Sequence, residues 1–294
     1  MGIHKSCYKI GPIRFCFITP FVVRDLRPWA DYRIRAGSPV DITVNFVPVD
    51  DPNKPESAPI YLSDYCVFDA GDKFVRCLRN FEGQLCSWLD LPKEGNCREF
   101  TCKYLKSDER TLIYSKQLFR AIDLVKLLLD FNCLMVHAAC VEYKNHALLF
   151  VGASGSGKST QARLWGQRRS TRTINGDRVI LQLGDDGSLT VHGLPFSGTS
   201  PDCINASLPL GEIVSIIFSL NNRITEMVPL ETLTHLMNNS ARNLYDRDFN
   251  CRFFDLVNGI ANQKQALYLR CSEGYESVRT LERFIREKRS WTNL

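Results

Sequence analysis

Residues 152–159 read Gly-Ala-Ser-Gly-Ser-Gly-Lys-Ser and satisfy the pattern G-x-x-x-x-G-K-[ST] in full. No other stretch constrains the chain as much, because the pattern works in one setting only: a buried strand feeding a glycine-rich turn that opens a helix. The flanks meet that demand. Ala147–Val151 is a short apolar run, as a buried parallel strand should be, and Ser159–Trp165 reads as a helix. In such a loop Gly152, Ala153, Ser154, Gly155, Ser156 and Gly157 turn backbone N–H groups inward around phosphates, with Thr160 following in the helix. Lys158 brings charge to the outer phosphates and Ser159 offers a hydroxyl to Mg²⁺. The helix N-terminus adds partial positive charge. The ligand class is a nucleoside triphosphate with Mg²⁺. A chance Gly-rich turn would leave the lysine, the hydroxyl and both flanks as coincidences.

Phosphoryl transfer needs more than this loop: a second Mg²⁺ anchor, a group that orients or deprotonates the attacking hydroxyl, and an acceptor pocket. Asp177, in Ile174-Asn175-Gly176-Asp177-Arg178-Val179, stands beside a β-branched run and is the candidate second metal anchor with Ser159. An Asp in a turn after Asn-Gly is the plain alternative. His137 closes the apolar stretch Cys133–Val136 just ahead of the loop's own strand. It can serve as a base or hold a carboxylate, whereas spacing alone equally describes a half-buried histidine bonded to a carbonyl. Phe196–Ser200 is a polar-tipped loop and the candidate acceptor side of the site, or simply a surface loop.

The 294 residues suit two domains or one large one. Up to about residue 110, apolar and β-branched runs alternate with turn signals: Ile13–Ile18, Val40–Val47, Ile60–Phe68, Phe74–Leu78 and Phe100–Leu105. That predicts an N-terminal β-rich domain over 1–110 and a catalytic α/β domain over 111–294. Within the latter, Ser115 is placed to cap a helix running to about Phe131, with Leu118, Ile122, Val125 and Leu129 at helical spacing. Lys144-Asn145 reads as a hairpin turn, Gly184–Gly187 as another, Ile213–Leu220 and Ala266–Leu269 as strands, and Val278, Leu281 and Ile285 as one face of a final helix.

A net charge of +5 does not call for nucleic acid. Arg163, Arg168, Arg169, Arg172 and Arg178 cluster after the loop, as a solvated face or as extra attraction for phosphate. The 12 cysteines contain no C-x-x-C pair, and Cys97 and Cys102 lack a matching ligand pair, so zinc is not expected. They read as buried, reduced thiols of a cytoplasmic protein. The apolar stretch Phe15–Val23 is short and holds Pro20, so no membrane partner is expected.

His137-Ala138-Ala139, Gly152–Thr160 and Ile174–Asp177 together resemble the catalytic domain of HPr kinase/phosphorylase, whose fold is related to phosphoenolpyruvate carboxykinase, and more closely the HPr-kinase-like proteins of bacteria. Lys158–Trp165 and Gly193–Thr199 look typical of that group, and the likeness runs from about residue 130 to about residue 220. The resemblance implies that Lys158 binds the β/γ-phosphates, Ser159 holds Mg²⁺, Asp177 serves metal and catalysis, and His137 lies near the transferred group. It also makes a homo-oligomer an expectation. One departure is plain: the family pairs two acidic residues, and the first, the presumed base, is Gly176 here. The expected function is an ATP-dependent kinase that transfers the γ-phosphate to a hydroxyl of a small molecule, a peptide or a protein serine. The alternative is a nucleotide-binding regulatory or accessory module with little transfer. A carboxykinase-like enzyme is disfavoured because its further metal-ligand motifs are missing. No base-reading motif separates ATP from GTP.

Overall fold

A computed structural model of the chain describes residues 2–51, 55, 57–167, 171–196, 198 and 202–289. It divides into two compact units, Met1–Asp130 and Phe131–Leu294, each mixed α/β.

The first unit is a nine-stranded sheet. Its strands are β1 His4–Ile10, β2 Ile13–Thr19, β3 Arg33–Ile34, β4 Ile42–Val49, β5 Tyr61–Leu62, β6 Tyr65–Asp69, β7 Lys73–Arg79, β8 Leu85–Pro92 and β9 Glu99–Leu105. They lie in the order β3-β1-β2-β4-β9-β8-β7-β6-β5. The β1–β2 hairpin turns at Gly11, where φ is 58°. β2, β4 and β9 run parallel, and β9 back to β5 is an antiparallel meander. The strand predicted over Ile60–Phe68 is a tight hairpin of two, and β1 and β8 were not evident as apolar runs because Ser6 and Ser87 interrupt them although both are buried.

Three short helices follow, α1 Glu109–Leu112, α2 Ser115–Ala121 and α3 Leu124–Leu129. The single helix predicted from Ser115 to Phe131 is therefore broken. Asp123 breaks it: its carboxylate accepts the Lys126 N–H at 3.0 Å and starts α3 afresh as an N-cap. Ser115 does not cap α2; that position is Tyr114. These helices belong to the first unit rather than to the second, where the sequence reading put them. The reason is Phe119 on α2, whose ring lies 5.5, 5.3, 4.8 and 4.9 Å from those of Tyr8, Phe15, Phe17 and Trp29. Each such pair adds about 0.5–1.5 kcal/mol beyond area burial.

The second unit opens with β10 Cys133–Tyr143 and β11 His146–Val151, joined at Lys144 and Asn145 with φ of 47° and 60°, as a two-residue hairpin requires. Then come α4 Lys158–Gly166, β12 Thr171–Asn175, β13 Arg178–Leu183, β14 Leu189–Gly193, β15 Ser207–Phe218, β16 Arg223–Glu226, α5 Pro229–Asn239, α6 Arg247–Gln263, β17 Leu267–Cys271 and α7 Tyr275–Lys288. β11, β15 and β17 are parallel neighbours, with β16 antiparallel at the edge. The long strands β10 and β15 each pair with three others, and the pairing β11–β10–β13–β14–β15 returns to β11 and closes a ring. A core of Leu148, Phe150, Trp165, Val214, Leu269, Leu281 and Ile285 joins α4 and α7 to the parallel strands. Among the described residues no helix is long and apolar enough to cross a membrane. Nine of the twelve cysteines are buried and none is bridged.

Inside this unit Glu212, on β15, is fully buried between Lys264 Nζ at 2.8 Å and Arg289 Nε at 2.7 Å. Arg289 also reaches Glu226 at 2.9 Å, which ties the end of α7 to β15 and β16.

Candidate functional site

The Gly152–Ser159 loop leaves the carboxyl end of β11 and enters α4, the place where parallel strands present ligand sites. Its curvature needs glycine. Gly152 has φ of 153°, and a Cβ there would stand 2.8 Å from Ser156 Oγ; Gly157, at φ 96°, is the residue from which α4 starts. Lys158 is only 6% exposed and donates to the carbonyls of Gly152 at 2.7 Å and Ala153 at 2.9 Å. Burial lowers its pKa, against the opposing pull of the Asp177 charge.

Asp177 reaches the same cleft by a different route. β13 and β12 follow one another along β10, with His137 opposite Arg178 and Cys140 opposite Asn175; the register of β12 shifts by a residue beyond Cys140, and the ladder lapses at Gly176-Asp177. The Ala138 N–H still bonds the Asp177 carbonyl at 3.0 Å. At this lapse the Asp177 carboxylate stands free of the sheet: Oδ1 is 3.3 Å from His137 Nδ1, and Oδ2 is 3.1 Å from Arg178 Nε. Burial and the charges of Lys158 and Arg178 lower the His137 pKa, more than Asp177 raises it, which favours the neutral ring.

The residue that shapes this turn is Asn175, which the sequence marks only as part of the Ile174–Asp177 stretch, with no role of its own. It is fully buried. Its Oδ1 accepts the N–H groups of Asp177 at 2.8 Å and Arg178 at 2.9 Å, while its Nδ2 donates to the carbonyls of Leu194 at 2.8 Å and Phe196 at 3.0 Å. One amide thus fixes the turn and the start of the neighbouring loop. Asn175→Ala should cost about 1–3 kcal/mol through these stranded partners. Chemical denaturation measures that loss, and it should come with slower acceptor-stimulated ADP release as Asp177 loses its frame. Gly198 presses close from that loop: with φ of 55°, a Cβ there would meet the Asp177 carboxyl carbon at 2.9 Å. The loop's hydroxyls Ser197, Thr199 and Ser200 lie outside the described residues, as do Arg168 and Arg169 of the arginine cluster. Arg172 pairs with Glu142, leaving Arg163 and Arg178 at the site.

The resulting cleft, about 570 Å³, is lined by His137, Ser154, Gly155, Gly157–Thr160, Arg163, Gly176, Asp177, Asp202 and Glu273. A second cleft of about 360 Å³ shares His137 and continues past Ala153 and Arg178 to Asn238–Ala241. Among the described residues no three His, Cys, Asp or Glu side chains form a metal cage. Ser159 and Asp177, the two oxygen ligands expected from the sequence, line one cleft. Each Asp177 oxygen already faces a partner, Oδ1 the His137 ring and Oδ2 the Arg178 guanidinium.

No family model and no curated protein matches the chain. Among solved structures, that of the Hpr(Ser) kinase/phosphatase from Coxiella burnetii aligns with 54% of this chain and 99% of its own, at 11% identity and a TM-score of 0.31. A likeness that low assigns neither fold nor activity to this chain, and the functional reading rests on the site itself.

Proposed function

We propose that the protein is an ATP- and Mg²⁺-dependent phosphotransferase that moves a γ-phosphoryl group to a hydroxyl of a small molecule, a peptide or a protein serine. The observation that carries this is the meeting of the phosphate loop, Ser159, Asp177 and His137 in one cleft. A binding loop alone does not require the last two.

Lys158 is preloaded onto the loop carbonyls, and exchanging those partners for phosphate oxygens keeps its charge paired. Ser159 and Asp177 would hold Mg²⁺, which would offset the charge that phosphoryl transfer develops. Gly176 removes the acid that the resemblance leads one to expect as base. His137 supplies a substitute. With the Asp177 carboxylate facing Nδ1, a proton is favoured on that nitrogen, which leaves the Nε2 lone pair to take the acceptor's proton. The second cleft shares His137, so an acceptor entering past Arg178 brings its hydroxyl to this nitrogen and to the phosphate end of the first cleft.

The test is ADP release with ATP and Mg²⁺, alone and with pools of free serine, other small alcohols and serine-containing peptides. One pool should stimulate release. Lys158→Ala should weaken ATP binding about 10- to 100-fold, the value of hydrogen bonds to a charged group. Tight ATP binding without release by any pool would instead support the accessory-module reading.

A further inference from the structure

Beyond the phosphate cleft, a smaller one of about 80 Å³ lies on the other side of the loop, towards the carboxyl ends of β15 and β17. Its walls are Gly155–Gly157, Thr160 and Gln161 from the loop and α4, Ile216 and Phe218 from β15, and Cys271–Glu273 after β17. Three observations set it apart. Phe218 is 71% exposed although it sits in register with Cys271 on a strand of the core sheet. The Gln161 side chain is 2% exposed and donates from Nε2 to Ser277 Oγ at 2.8 Å, yet its Oε1 is buried with no partner among the described residues. Ser156 Oγ is buried and unpartnered in the same way. A buried acceptor without a donor is costly, and such an atom in a cleft with one bare aromatic face describes a seat rather than a surface. A lone exposed Phe would carry no such meaning.

The direction of a bound triphosphate points to the occupant. Lys158, Asp177 and His137 gather at the outer-phosphate end, so the chain of phosphates runs the other way, towards Thr160, which lines both clefts. We infer that the cleft between Phe218 and Glu273 holds the nucleobase, with the ring stacked on Phe218 and an exocyclic amino group donating to Gln161 Oε1 or to the Glu273 carboxylate. This rests on the phosphate-loop reading above and adds what the sequence lacked, a base-reading element. The class of ligand is an amino-bearing nucleobase such as adenine.

The experiment is equilibrium binding, with Mg²⁺, of ATP, UTP and inorganic tripolyphosphate, which has no base. Wild-type protein is compared with Phe218→Ala and Phe218→Trp, exposed positions whose exchange leaves the core untouched. Wild type should bind ATP at least about tenfold more tightly than tripolyphosphate, with UTP between them. Phe218→Ala should lose about tenfold for ATP and nothing for tripolyphosphate, and Phe218→Trp should retain the ATP affinity. ATP binding unchanged in Phe218→Ala, an equal loss for ATP and tripolyphosphate, or UTP as tight as ATP would each overturn the assignment while leaving the phosphate loop standing. Failure of every ligand, tripolyphosphate included, would overturn both.

Discussion

Asp177→Asn should leave nucleotide binding nearly intact and lower acceptor-stimulated ADP release about 10²–10⁴-fold, the range for loss of a positioned acid–base group. The carboxylate faces His137 Nδ1 with one oxygen and Arg178 Nε with the other, and it shares a cleft with Ser159. The amide keeps the shape but removes the charge. Three things change together: the metal loses an anionic oxygen, His137 loses the partner that favours its Nδ1 proton, and Arg178 is left without its counter-charge. The loop backbone and Lys158 do not depend on this carboxylate, so ATP affinity should survive. Single-turnover transfer and equilibrium ATP binding, measured side by side, separate the two. An Asn variant that transfers at the wild-type rate would remove Asp177 from the chemistry.

Glu212→Ala should be the most damaging single change to stability, at about 3–5 kcal/mol by urea unfolding. Glu212 is fully buried, and Lys264 and Arg289, whose side chains are 20% and 21% exposed, both lean on it. Removing the anion leaves two cations close together in a poorly solvated place, and an uncompensated buried charge costs far more than the intact pair contributes. Glu226, the outer partner of Arg289, is 48% exposed, so Glu226→Ala should cost no more than about 1 kcal/mol. Similar losses for the two variants would mean that the cations find water when Glu212 is gone.

The parts of this protein that were legible in its sequence are those whose physics is local. The phosphate loop announces itself because glycine conformation, lysine charge and strand–helix flanks all lie within a few residues. The hairpin at Lys144-Asn145 is likewise a property of two residues. The break at Asp123 was not foreseen, because leucine periodicity runs straight through it and only the capping bond to Lys126 decides the matter. The membership of α2 in the first unit depends on four rings distant in sequence that gather around Phe119. Asn175 stood in a recognised stretch, but its role was hidden for the same reason: its partners at Leu194 and Phe196 become neighbours only in the fold. The cleft under Phe218 depends on the parallel pairing of β15 with β17, which no motif encodes.

β10 has a mechanical meaning. One uninterrupted strand carries His137, turns at Lys144-Asn145 into the strand that delivers the phosphate loop, and meets on its other side the ladder in which Asp177 stands. Residues of the candidate site drawn from three parts of the chain are thus all gauged against a single ruler. Side chains on that ruler can vary while the spacing between His137, Asp177 and the glycine-rich loop stays set. A residue inserted or deleted within β10 itself, between His137 and Tyr143, would shift one group by a strand step of about 3.3 Å relative to the others and turn its side chain to the opposite face. Length is free to change at the Lys144-Asn145 turn, where it leaves that register alone.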